Sequence, residues 1–107
     1  MKVFKIKEGT VVSLVLIDDY KECYIASLLV GKNNYTNLHY IAGLVIDKGQ
    51  EIPFAKVATG IIKEYKEIST KALENEEFTE KDIDQASERV KKLFPNLTFG
   101  HNYGMEA

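Results

Sequence analysis

The sequence predicts an α+β fold: an antiparallel meander sheet of four to five strands, followed by two amphipathic helices packed on one of its faces. Two patterns carry that prediction. Up to Ile46 the apolar residues alternate with polar ones or run in short β-branched stretches broken by turn formers. After Pro53 the apolar spacing changes to three and four residues, the period of a helix. A chain of 107 residues suits one hydrophobic core. A single α+β domain is therefore expected over 1–107, with the sheet region over 1–50, the helices over 51–95, and a short strand or mobile tail over 96–107.

Val3 to Lys7 puts Phe4 and Ile6 on one face and Val3, Lys5 and Lys7 on the other, the pattern of a half-exposed strand. Lysines there discourage pairing with another chain, so this is expected to be an edge. Gly9-Thr10 supplies a turn into Val11 to Ile17, whose branched content suits a strand covered on both faces at the sheet's centre. Asp18 to Glu22 is polar and short enough to reverse the chain into Cys23 to Val30, and Gly31 to Asn34 reverses it again. A fourth strand is expected over Tyr35 to Ile46. Strict alternation would place Leu38, Tyr40, Ala42, Leu44 and Ile46 toward the helices, and Asn37, His39, Ile41, Gly43 and Val45 on the other face. The apolar half of that second face calls for cover, either from another subunit or from the C-terminal tail.

Pro53 fits the first turn of a helix. From there Phe54, Val57, Ala58, Ile61, Tyr65, Ile68 and Ala72 form one apolar stripe. Gly60 interrupts it at a cost of about 1 kcal/mol against Ala, which implies a close packing neighbour. The second helix is marked by Thr79 as N-cap, Asp82 in the capping-box position, and Phe78 with Ile83 as a hydrophobic staple. Its expected buried face is Ile83, Ala86, Val90, Leu93 and Phe94, and Phe94-Pro95 ends it. Leu97 to Phe99 is compatible with a fifth strand.

The formal charge is -2, and Arg89 is the sole arginine among fourteen basic residues. That balance disfavours nucleic acid as a partner, because there is no excess positive field to hold a polyanion. A lone cysteine, Cys23, excludes an internal disulfide, and the opening residues lack the apolar core of a signal peptide. A cytoplasmic location is expected. The longest apolar run is far too short for a membrane span, so no membrane partner is expected.

Cys23, His39 and His101 are the soft or imidazole ligands, and their spacing closes no tetrahedral site; no metal or cofactor is implied. Cys23 with His39 is the one pair that adjacent strands could assemble for nucleophilic chemistry. A buried, inert thiol is the ordinary state of such a cysteine. The acid pairs Asp18-Asp19, Glu76-Glu77 and Asp82 with Asp84 lie in turns or at a helix start, where carboxylates solvate loops and favour the dipole. The tail segment Asn96 to Tyr103 is more site-like. Phe99, His101, Asn102 and Tyr103 combine stacking surface with donors and acceptors.

The short sheet followed by two helices, in a chain rich in Lys, Glu, Ile, Asn and Tyr, resembles phage accessory proteins and is similar in layout to the Thoeris anti-defence sponges. That resemblance rests on architecture along most of the chain and on no motif. It implies a homo-oligomer that sequesters a nucleotide-derived signal without catalysis. The family would be expected to meet phosphates with arginines, whereas this chain has Arg89 alone. The leading expectation is thus a non-enzymatic protein that holds a small anionic or nucleotide-like molecule through Arg89, Lys92, Phe99, His101, Asn102 and Tyr103. An alternative is a protein-binding inhibitor, immunity protein or antitoxin docking through Glu76, Glu77, Asp82 and Asp84. Third is a small enzyme using Cys23 and His39.

Overall fold

Tight turns dictate the sheet. Gly9, Asn33 and Asn37 adopt positive φ (61°, 68° and 53°), the conformation that glycine and asparagine tolerate best in chain reversals. The chain accordingly folds back on itself as β1 (Lys2–Glu8), β2 (Val11–Asp19), β3 (Cys23–Lys32) and β4 (His39–Asp47). It leaves the sheet as α1 (Phe54–Glu64), α2 (Lys66–Leu73) and α3 (Glu80–Leu93), and returns as β5 (Phe99–Gly104). The five strands lie side by side in chain order, every neighbouring pair antiparallel. This computed structural model describes residues 1–49 and 51–104; the expected tail residues 105–107 lie outside them.

The α+β meander with helices on one face is what the periodicity predicts, with three differences of detail in the sheet. First, β3 is the middle strand and β2 lies one place from the edge. Val15 and Ile17 of β2 are buried under the helices, whereas Leu14 and Leu16 on its other face are half-buried. Second, Tyr35 to Leu38 form a loop that folds back over the far face of the sheet. Leu38 and Val12 both approach Gly31, at 3.0 and 3.4 Å from where a Cβ would stand, and Lys5 Nζ lies 5.2 Å from the centre of the Tyr35 ring. Val12 is fully buried there although it points away from the helices.

Third, β4 carries a bulge. Leu28 pairs with Ala42 and Leu29 with Tyr40, leaving Ile41 as the extra residue. A bulge puts two consecutive side chains against one partner and resets the alternation beyond it. Ile41 therefore joins the core, fully buried. Tyr40 falls opposite Leu29 on the far face, and His39 falls opposite Val30 on the helix side. These three assignments reverse those of strict alternation.

The core lies between the helix-side residues of the sheet, Val15, Ala26, Leu28, Leu44 and Ile46, and the inner faces of the helices, Val57, Ile61, Ile68, Ile83, Ala86 and Val90. The expected apolar stripe from Phe54 to Ala72 is real but broken at Tyr65 (φ −95°, ψ 9°), so the two expected helices are three. Arg89 explains the break. Its Nη2 donates to the Glu64 backbone carbonyl at 3.0 Å and its Nε to the Glu64 carboxylate at 3.2 Å, and a side chain competing for a helical carbonyl bends the axis. Gly60 has the close neighbours its position implied: a Cβ there would stand 3.2 Å from Phe94 and 3.3 Å from Leu93. Leu93 itself is 51% exposed rather than part of the core.

Two hydroxyls are buried between the α1–α2 break and α3. Tyr65 Oη and Ser87 Oγ make no hydrogen bond within ordinary limits of distance and angle. Burial pushes the Tyr65 phenol up to about 12, and the nearby Ser87 hydroxyl offsets part of that rise. An unfolded tyrosine ionises near 10, so the unfolded state loses its proton first as pH rises. Stability from this group is whole below pH 10 and declines through pH 12. Chemical denaturation in that window should show wild type losing roughly 2 to 3 kcal/mol relative to Tyr65→Phe, with the two differing by about 1 kcal/mol or less at pH 7.

Candidate ligand cleft

Small residues at two interior positions open a cleft at the end of the sheet nearest the β1–β2 turn. On the helix side of β1 and β2 stand Ile6, Glu8, Val11 and Ser13, with Ile6 opposite Ser13 and Glu8 opposite Val11. Alternation places Ser13 between Val11 and Val15 on the face where a branched residue would fill the layer. Above it α1 packs against β1, β2 and β3, while α2, redirected at Tyr65, packs against β3 and β4. The helices diverge over this corner, and Ser69 of α2, one turn beyond Tyr65, does not fill the gap.

The resulting space has a volume of about 270 Å3 and is lined by Ile6, Glu8, Val11 and Ser13 from the sheet, and by Thr59, Ile62, Lys63, Lys66, Ser69 and Thr70 from the helices. Ser13 and Ser69 are only 5% and 4% exposed, and neither hydroxyl is hydrogen-bonded to a described residue. Thr59 and Thr70 spend their protons on the helix, donating to the Ala55 carbonyl at 2.8 Å and the Lys66 carbonyl at 3.0 Å; toward the cleft they can only accept. Two cations stand at the rim. Lys66 lies 3.7 Å from Glu8, both well exposed, a pairing worth little in water, and Lys63 is exposed. Apolar walls, two hydroxyl donors inside, and a mouth where Lys63 and Lys66 outweigh the single carboxylate of Glu8 form a set suited to a small anion with an apolar body.

Compared with protein-family models, curated proteins and solved structures, the chain shows no significant match.

The residues singled out in the sequence do not converge. Arg89 gives two donors to Glu64 and faces a narrow crevice beside Glu67, Lys71, Asp82 and Gln85. Lys92 is exposed on α3. Phe99 pairs with Ile46 and packs against the core, whereas His101 pairs with Val45 and is exposed on the opposite face. Asn102 and Tyr103 stand opposite Leu44 and Gly43; their side chains lie outside the described residues. The tail thus extends the sheet edge-on rather than lying over its far face. Cys23 pairs with Asp47 at one end of the β3–β4 ladder and His39 with Val30 near the other. Seven residues of strand separate those positions, roughly 23 Å, so the two do not meet.

Within the acidic set one residue has a structural task. Asp82 closes the capping box: its Oδ2 accepts from the Thr79 backbone N–H at 2.9 Å, and its own N–H donates to Thr79 Oγ1 at 3.3 Å. Glu76, Glu77 and Asp84 are exposed. Among the described residues no group of three or more His, Cys, Asp or Glu gathers as metal ligands, and no helix is long and apolar enough to cross a membrane. The cleft itself left no motif in the sequence. The nearest signal is a serine at a position where the strand's alternation calls for an apolar residue.

The hydrogen bond from the Thr79 backbone holds the Asp82 carboxyl below its ordinary 3.8. Its contribution is present above that value and disappears as pH falls through the lowered one. Thr79→Ala should cost about 1 kcal/mol at pH 7, and Asp82→Ala should also destabilise there. In acid denaturation the gap between wild type and Asp82→Ala should close below pH 3.8; a gap that persists there would mean the carboxylate charge is not what the cap uses.

Proposed function

We propose that this chain is a non-catalytic binding protein that sequesters a small anionic molecule, of mononucleotide size or less, in the cleft between the β1–β2 corner and the α1–α2 break. The observation that carries this reading is a pair of serines, each more than nine-tenths buried as a residue, that line an open cleft and make no side-chain hydrogen bond to a described residue. Hydroxyls that face an open cleft instead of the packed core are free to bond a ligand there. The volume limits the ligand: about 270 Å3 lies just under the roughly 300–1,000 Å3 of ordinary small-molecule sites. Lys63, together with Lys66 partly offset by Glu8, favours negative charge at the mouth. Neither serine is hydrogen-bonded to a base, which supports binding over nucleophilic chemistry.

In its specific form the proposal is the one implied by the likeness to anti-defence sponges: a cytoplasmic homo-oligomer of phage or mobile-element origin that removes a nucleotide-derived signal. The free thiol of Cys23 is consistent with a reducing compartment. A second reading, a protein inhibitor docking through the α2–α3 turn, draws on the exposure of Glu76 and Glu77. Charge reversal at those two residues separates it from the first, since it should abolish protein capture and leave small-molecule binding intact.

Thermal unfolding against a panel of nucleoside mono- and diphosphates, cyclic nucleotides and inorganic phosphate tests the main reading. A ligand at a hundred times its Kd stabilises by about 2.7 kcal/mol, a rise of roughly 10 °C for a domain of this size. Ser69→Leu, which fills the cleft, and Lys63→Glu with Lys66→Glu should remove the rise, while Lys92→Ala should retain it. No rise with any member of the panel, or a rise that survives Ser69→Leu, would refute the assignment of the cleft.

A further inference from the structure

A cleft that takes a plain anion has no use for a carboxylate, since a like charge beside the ligand costs affinity. The cleft over the β1–β2 corner contains one. Glu8, the last residue of β1, lines it together with Lys66, the first residue of α2, and the two stand 3.7 Å apart between sheet and helix. Neither side chain is confined by burial: Lys66 is 74% and Glu8 62% exposed. In water such a pair is worth little, so a ligand that offers a cation to Glu8 and an anion to Lys66 can take it apart at small cost.

The hydrogen-bonding groups are two-sided as well. Ser13 and Ser69 have protons to give. Thr59 and Thr70 have already given theirs, to the Ala55 carbonyl at 2.8 Å and to the Lys66 carbonyl at 3.0 Å, so each of these hydroxyls meets a ligand as an acceptor. The carboxylate of Glu8 accepts only. Acceptors have nothing to offer an anionic oxygen, which brings no proton of its own; they match N–H groups.

We infer that the ligand of this cleft carries an amino group beside its anionic group, the amino group meeting Glu8 and the anion meeting Lys63 and Lys66. The inference rests on the reading of the cleft as an anion site and adds a second pole to it. An ion pair held between a strand and a helix is the complement of a ligand whose own charges or dipole run in the reverse order. Ile6, Val11 and Ile62 wall the space for the ligand's apolar part. Two sources supply this chemistry at about 270 Å3: an apolar α-amino acid, and a mononucleotide whose base bears an exocyclic amino group. Selectivity follows from the same geometry, because a ligand without the N–H leaves the carboxylate facing an anion with nothing between them.

Isothermal titration calorimetry of the full chain with two matched pairs reads the outcome, each pair differing by the amino group alone. The pairs are leucine against 4-methylpentanoate, and adenosine 5′-monophosphate against purine riboside 5′-monophosphate. In wild type the amino member of one pair should bind about tenfold or more tightly than its partner, the effect of a charge-assisted hydrogen bond, and the pair that responds names the source. Glu8→Ala should weaken the amino member about tenfold and tighten its partner, so the preference collapses from both sides. Lys66→Gln should weaken both members, with circular dichroism verifying the fold of each variant. Equal binding of both members in wild type, with Glu8→Ala tightening both, overturns the inference and leaves the anion cleft standing. A preference that persists in Glu8→Ala overturns it too. Silence from all four compounds does the same, and silence that extends to the whole nucleotide and phosphate panel takes the reading of the cleft with it.

Discussion

Everything in this molecule follows from the packing of one apolar layer against one face of a five-stranded sheet. Leu28, Leu44 and Ile46 in the middle of the sheet are almost fully buried beneath Ile61, Ile68, Ile83 and Val90. Burying a side chain of this size is worth roughly 1.5 to 3 kcal/mol, and a cluster of them is what outweighs the entropy of ordering the chain. The three helices form a single excursion between β4 and β5, so they land on one side. The helices therefore bury one face of the sheet, and β2 contributes to both faces, with Ser13 toward the helices and Leu14 and Leu16 away from them.

The cleft is a departure from that packing logic. A chain optimised for stability alone would place a branched residue at position 13, in line with Val11, Val15 and Ile17, and a larger apolar one at 69 beneath the helix break. It has serines at both. Natural sequences break local packing rules mainly where function requires it. Tyr65 and Ser87 are a contrasting case: their hydroxyls are sealed in the packed junction between helices, where burial of the phenol makes the junction pH-dependent.

Much of the architecture is legible in residue spacing. Alternation through Lys7, the turn residues Gly9 and Asn33, the stripe from Phe54 and the Thr79–Asp82 capping box all describe local backbone geometry, and local geometry is what sequence patterns encode. What spacing could not convey depends on contacts between distant segments. The bulge at Ile41 follows from how β4 fits against β3, and it reverses the sidedness of His39 and Tyr40. The break at Tyr65 depends on Arg89, which lies on α3, reaching back to Glu64. The cleft needs both the break and a serine on β2, residues more than fifty positions apart, so no window of sequence contains it. The tail cluster, by contrast, looked like a site because its residues are close in sequence, and the register shift at Gly100 sends Phe99 and His101 to opposite faces.

Arg89 decides what kind of recognition remains. A guanidinium offers a planar fork that matches phosphate or carboxylate with two bonds, whereas an ammonium is a point charge on a flexible stem. This chain's one arginine already gives two of its donors to Glu64, so in the proposed role the anion is left to Lys63 and Lys66. Charge at the mouth then attracts phosphates and carboxylates alike, because neither lysine imposes a geometry. Discrimination has to come from further inside, where Ser13 and Ser69 sit on rigid elements, and a group without a matching acceptor would leave both hydroxyls desolvated and unpaired, at about 1 to 3 kcal/mol each. In the proposed role the lysines would set how fast and how strongly an anion is drawn in, and the two serines which anion stays.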